Sequence, residues 1–145
     1  MLPKKVICCT DFSDNSEPAR KLAVDYAKAF GAQLCLVHVI DSASFPNYVD
    51  WVGDEIDQIL SRTKNIAETK LQEVANKCAD VKDIKTCCEI GSPADKIVDL
   101  AKDEAADLIV MGTHGHSGVK HLVMGSIARS VLRTAHRPVL IVEAH

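Results

Sequence analysis

The sequence predicts a doubly wound α/β fold: a three-layer sandwich whose five-stranded parallel sheet runs in the order 3-2-1-4-5. Three observations predict it. Apolar runs and amphipathic segments alternate along the chain as βαβαβαβαβ. The strand segments are nearly continuous in apolar residues, most clearly at residues 34–40 (Leu-Cys-Leu-Val-His-Val-Ile), as strands buried on both faces require. Each pair of successive strands is joined through a helix, and right-handed crossovers of that kind make a parallel sheet with the common doubly wound order.

Each element has its own local signal. Residues 5–10 form the first strand, and the polar turn 11–16 follows. Ser16 is placed to cap a helix whose first turn holds Glu17 and Pro18. Leu22, Ala23, Tyr26, Ala27 and Phe30 recur at helical spacing, and Gly31 ends that helix. After the second strand, residues 41–53 are irregular and carry Phe45, Pro46, Tyr48 and Trp51. A long amphipathic helix over about residues 54–78 uses Ile56, Ile59, Leu60, Ile66, Leu71, Val74 and Ala75. Residues 84–90 are the third strand. Ser92 caps the next helix, with Pro93 at its first position and its body over residues 94–105. Residues 107–111 form the fourth strand, a Gly- and His-rich loop follows, and a helix covers residues 126–135. Pro138 opens the last strand, residues 139–142. Residues 1–145 read as one domain without repeat or linker.

Composition narrows the function classes. Net charge is −3 with acids and bases interspersed, so no basic face points to nucleic acid. No apolar run approaches the roughly 20 residues that span a bilayer, and no signal-peptide core precedes the first strand. The six cysteines (8, 9, 35, 78, 87 and 88) fall mostly inside strand patterns and include no CxxC pair. That usage predicts a reducing, cytoplasmic setting. Two readings of the thiols stay open: small core residues, or a thiol cluster formed where Cys8, Cys35 and Cys87 or Cys88 meet on neighbouring strands.

The informative stretch lies between the fourth strand and the last helix. Gly112, Gly115, Gly125 and Ser126 give the skeleton G-x2-G-x9-G-S. Gly112 leaves the strand without a side chain, so a sugar or phosphate can approach the backbone. Gly115 and Gly118 permit the turns that aim successive N–H groups inward as an anion nest. Gly125 and Ser126 open a helix whose free N–H groups and positive dipole end attract phosphate. Ser126 adds a hydroxyl for a phosphate oxygen or a metal-bound water. The predicted strand order sets Thr10 and Asp11 opposite Gly112 and Thr113, at the crevice where ligands bind in such folds.

Asp11, the glycine pattern and the closing Pro138-Val-Leu-Ile-Val resemble the universal stress protein family, over essentially the whole chain. The resemblance implies the Rossmann-like fold of the adenine nucleotide alpha hydrolases and membership of the ATP-binding branch. It implies an ATP-binding, dimeric module of stress response or regulation, with slow or no hydrolysis. Carried over residue by residue, it sets Thr10 and Asp11 at the adenosine end and Val39 as a backbone anchor for adenine. Gly112, His114 and Gly115 then flank the ribose and α-phosphate, and Gly125, Ser126 and Ile127 hold the outer phosphates. Mg²⁺ or Mn²⁺ would arrive with the nucleotide, near Ser126. Ala128 stands where some ATP-binding members carry a further hydroxyl, which leaves AMP or ADP as alternatives.

Other readings stay open. Asp11 serves as a cap of the first turn, as a ribose acceptor, or as both. His114, His116 and His121 read as loop histidines beside phosphate or as metal ligands, and Lys120 as a screen for phosphate charge or a solvated lysine. Phe45, Tyr48 and Trp51 form a lid or pack against the sheet. The final strand is a sheet edge, and an apolar edge predicts a homodimer through residues 139–142. The competing functions are a slow ATPase or adenylyl-transfer enzyme, and an interaction protein indifferent to nucleotide. No GxxxxGK[ST] loop supports fast phosphoryl transfer.

Overall fold

A computed structural model of the chain describes residues 2–45, 53–78, 80–113 and 124–144. The elements run β1 (Lys5–Cys9), α1 (Glu17–Phe30), β2 (Gln33–Asp41), α2 (Gly53–Asn76), β3 (Ile84–Gly91), α3 (Pro93–Asp103), β4 (Leu108–Gly112), α4 (Ser126–Thr134) and β5 (Val139–Val142). Among the described residues the sheet is five-stranded, all parallel, in the order β3-β2-β1-β4-β5. The predicted topology is the observed one. Of the predicted boundaries, most shift by one or two residues and the last strand by none.

Alternation along each strand sorts the core into two layers. Val6 and Cys8 of β1 and Leu34 and Leu36 of β2 face α1 and α2. There they meet Ala19, Ala23 and Ala27 of α1 and Ala67, Leu71 and Ala75 of α2. Ile7, Cys35, Val37, Ile109 and Met111 face the other way, onto Ala94, Ile97 and Ala101 of α3 and Ala128 and Val131 of α4. Alanine at four-residue spacing on α1 presents a smooth stripe, so the helix backbone lies close against the large strand side chains. β1 is central and dry: Val6, Ile7 and Cys8 are all at 0–1% exposure.

The register also settles how the cysteines are spread. Cys8, Cys78 and Cys88 belong to the α1/α2 layer, and Cys9, Cys35 and Cys87 to the α3/α4 layer. Val37 pairs with Cys9 on one side and Cys87 on the other, so two strand spacings, about 9–10 Å, separate those thiols. Cys35 pairs with Ile7 and Lys85, two residues short of Cys9 and Cys87, so its Cα lies about 8 Å from each. Disulfides need Cα atoms within about 7 Å. Cys8 and Cys35 lie in opposite layers, so no thiol cluster forms across the strands; Cys8, Cys35 and Cys88 are buried core residues, and Cys9 and Cys87 lie at the margin of the core.

Helix starts follow the predicted positions with one change of mechanism. Ser16 is the residue before α1, yet its side chain makes no capping bond. Residues Asp14–Ser16 instead form a 3₁₀ turn, and the Ser16 hydroxyl turns back to Ser13 O (2.8 Å) and Thr10 Oγ1 (3.1 Å). Ser92 likewise precedes α3 without a side-chain cap, with Pro93 at the first turn. Gly31 closes α1 in the left-handed conformation (φ 63°). Phe45 packs against the α1/α2 core, while Tyr48 and Trp51 lie outside the described residues. Among the described residues no helix is long and apolar enough to cross a membrane.

Candidate functional site

β1 ends while β2 continues, and that difference in length opens the site. Thr10 N–H donates to Val37 O (2.9 Å), the last rung between the two strands. Val39 lies two residues further along β2. Its N–H and C=O therefore face the same side as those of Val37, past the point where β1 has stopped. Beyond this edge is a cavity of about 630 Å³.

The turn after β1 is fixed by a relay of hydroxyls. Phe12 N–H donates to Thr10 Oγ1 (3.1 Å). Ser16 gives its own proton to Ser13 O, so Thr10 Oγ1 is the donor in its 3.1 Å contact with Ser16 Oγ. Thr10 and Ser16 are both only 8% exposed, and the relay satisfies both. Asp11 Oδ1 accepts from Ser13 N–H (2.9 Å) and from the Ser13 hydroxyl. Asp11 thus holds its own turn, as the capping reading expects, while lining the cavity. Phe12 takes up a left-handed backbone (φ 67°), and its ring packs on His38 with centroids 4.4 Å apart.

The opposite wall is the junction of β4 and α4. Thr113 N–H donates to Val142 O (3.2 Å), and Gly125 N–H donates to Thr113 O (2.8 Å). The second bond pins the start of α4 to the end of β4. It also uses the amide of Gly125, so that residue's contribution is its missing side chain. The first intrahelical bond runs from Arg129 N–H to Gly125 O (3.0 Å). The N–H groups of Ser126, Ile127 and Ala128 precede it and have no acceptor within the helix.

Of the residues singled out in the sequence, Thr10, Asp11, Val39, Gly112, Gly125, Ser126 and Ile127 all line this one cavity. His114 and Gly115 lie outside the described residues, as do Gly118, His116, Lys120 and His121. A second wall, formed by Phe12, His38, Thr63, Ile66, Ala67 and Lys70, lies outside the motif. Its one signal was the spacing of Thr63, Ile66, Ala67 and Lys70, a single helical face. Cys9 also lines the cavity, and burial pushes its thiol well above the ordinary range. Among the described residues no three His, Cys, Asp or Glu side chains converge as metal ligands.

Comparison with known proteins agrees with this fold throughout. Residues 3–143 match the universal stress protein family. The universal stress protein MJ0531 of Methanocaldococcus jannaschii is 38% identical over 147 aligned residues, covering 98% of this chain and 83% of that protein. The solved structure of MJ0577 from the same organism superposes with a TM-score of 0.89 at 28% identity, covering 100% of this chain and 99% of that one. A universal stress protein solved in complex with cAMP superposes with a TM-score of 0.70 at 26% identity, over 98% of each chain.

Proposed function

The chain belongs to the universal stress protein family, and from that premise and the cavity we propose that it binds an adenine nucleotide, ATP foremost, as a regulatory module of stress response. The observation that carries the reading is the pairing of two sets of backbone groups across one cavity: those of Val39 and those at the start of α4. A peptide N–H beside a peptide C=O matches adenine, which offers an acceptor at N1 and a donor at N6. Guanine presents the reverse pair. Ribose hydroxyls then fall to Asp11, and the phosphates to the N–H groups of Ser126, Ile127 and Ala128, where the helix dipole is positive. The known complex of a 26% identical relative with cAMP supports an adenine nucleotide as the ligand class. His114 and Gly115 belong to the same proposal, flanking the ribose and α-phosphate.

Mg²⁺ or Mn²⁺ fits as a companion of the phosphates rather than a resident ion, with the Ser126 hydroxyl as the donor at the first turn of α4. Slow or absent hydrolysis is part of the reading. Asp11 Oδ1 is engaged by Ser13, and the sequence lacks the phosphate-clamping loop of fast phosphoryl transfer. The outer edge of β5 (Val139–Val142), with all four residues only half-buried, is the proposed seam of a homodimer in the cytoplasm.

The test is direct. Protein purified without added nucleotide is acid-extracted and the extract chromatographed, and stripped protein is titrated calorimetrically with ATP, AMP and GTP in the presence of Mg²⁺. Adenine nucleotide in the extract and tighter binding of ATP than of GTP are expected. An extract free of nucleotide together with a flat ATP titration would reject the reading.

A further inference from the structure

The cavity continues to the other side of the sheet edge, and its walls there have a chemistry that the nucleotide leaves unused. Residues along β2 alternate between layers. Val37 and Val39 face α3 and α4, while Ile40 packs in the α1/α2 layer. The cavity touches both sets. Its α2 side is formed by Thr63, Ile66, Ala67 and Lys70, spaced i, i+3, i+4 and i+7. None of residues 55–66 is fully buried, and full burial on α2 begins at Ala67. The first half of the helix thus stands clear of the core, and Ile66 is left 54% exposed at the cavity wall.

Two features define what this compartment suits. Phe12, Ile40, Ile66 and Ala67 give it an apolar lining. Lys70 supplies the charge: its Nζ lies 5.8 Å from the Phe12 ring centroid, and no carboxylate among the described residues comes within ion-pair distance of it. The two acids on the cavity wall, Asp11 and Asp41, each hold their own turn through one oxygen. Asp41 Oδ1 accepts from Ala43 N–H (2.9 Å), and Asp11 Oδ1 accepts from Ser13. A single compact ammonium beside an apolar slot matches one negative charge on a small apolar body.

We propose that the α2-side compartment is a second small-molecule site, taking a carboxylate on a short aliphatic or aromatic body. The body lies between Phe12, Ile66 and Ala67, and the carboxylate meets Lys70 Nζ. This site stands independently of the nucleotide reading, since its walls and its cation come from α2 and the turn after β1.

Benzoate and hexanoate serve as probes, with benzamide as the neutral control, followed by saturation-transfer NMR and calorimetry. Saturable binding of both carboxylates and weaker binding of benzamide are expected. Lys70→Met keeps the stem and removes the charge, and it should weaken benzoate about fivefold. Ile66→Ser, at a position 54% exposed, should weaken hexanoate. Gly125→Val should lose ATP affinity and keep benzoate binding, so failure here is separable from failure of the nucleotide reading. Lack of saturation by either carboxylate at tens of millimolar would overturn the proposal. So would equal binding of benzoate by Lys70→Met, or loss of benzoate binding in Gly125→Val, which would place the anion at α4.

Discussion

His38 Nδ1 lies 2.8 Å from the carbonyl oxygen of Thr10, across the junction where β1 stops and β2 runs on. A carbonyl only accepts, so Nδ1 carries the proton and donates. This bond uses the Thr10 carbonyl at the place where the β1–β2 ladder has ended, and the ring meanwhile supports Phe12. His38→Phe keeps an aromatic ring against Phe12 and removes the donor. It should cost about 1–2 kcal/mol, the price of a carbonyl left without its partner. Urea unfolding measures it. His38→Gln restores a donor and should recover part of the loss.

Gly125→Val is the sharpest probe of the nucleotide site. The residue sits at φ −59°, ψ 155°, a conformation open to valine, and its N–H keeps its bond to Thr113 O. The substitution therefore leaves the fold in place and puts a branched side chain where phosphate would approach the first turn of α4. ATP affinity should fall about tenfold or more, about 1.4 kcal/mol, with the urea midpoint little changed. Unchanged affinity would remove α4 from the site.

The strand order and part of the cavity lining were legible in the sequence for different reasons. Runs such as residues 34–40 carry their burial in their composition, because a strand covered on both faces has few polar positions. Gly112 and Gly125 were legible as cavity lining because a missing side chain at a strand-to-helix turn leaves room beside the backbone. What stayed hidden depends on distances between elements. The Ser16 hydroxyl reads as a cap, and only the 3₁₀ turn over Asp14–Ser16 redirects it to Thr10. Gly125 reads as a phosphate-binding amide, and only the Thr113 carbonyl 2.8 Å away shows that amide to be taken. Lys70 carries no signal of its own in the sequence, because its place over the Phe12 ring depends on the turn after β1.

Gly31 tests backbone conformation apart from packing. It ends α1 at φ 63°, and a Cβ there would meet nothing within 4 Å. Gly31→Ala thus adds no clash and isolates the left-handed penalty, about 1 kcal/mol. A loss near that figure in chemical denaturation, with nucleotide affinity unchanged, is the expected result.

Buried thiols make alkaline stability the last prediction. Burial pushes Cys8 up to about 12, with Cys78 adding to the shift and Arg20 opposing it. Burial likewise raises Cys35 to about 12, with Cys87 as the next contributor. An acid whose proton is held more tightly in the folded chain than in the unfolded one stabilises the fold below the unfolded value, near 9, and loses that contribution as pH climbs from there toward 12. Above pH 9 the unfolded chain releases these protons first, so unfolding free energy should fall by about 1.4 kcal/mol per pH unit for each thiol. Urea midpoints measured between pH 8 and pH 10.5 should show that slope, and Cys8→Ala should flatten it despite its own packing cost. The same protonation predicts that Cys8 and Cys35 resist iodoacetamide at neutral pH in the native protein and react once urea unfolds it, as mass spectrometry of the alkylated peptides would record. Rapid native alkylation of either thiol, or an alkaline limb unchanged in Cys8→Ala, would show that the strand thiols ionise far more readily than their burial allows.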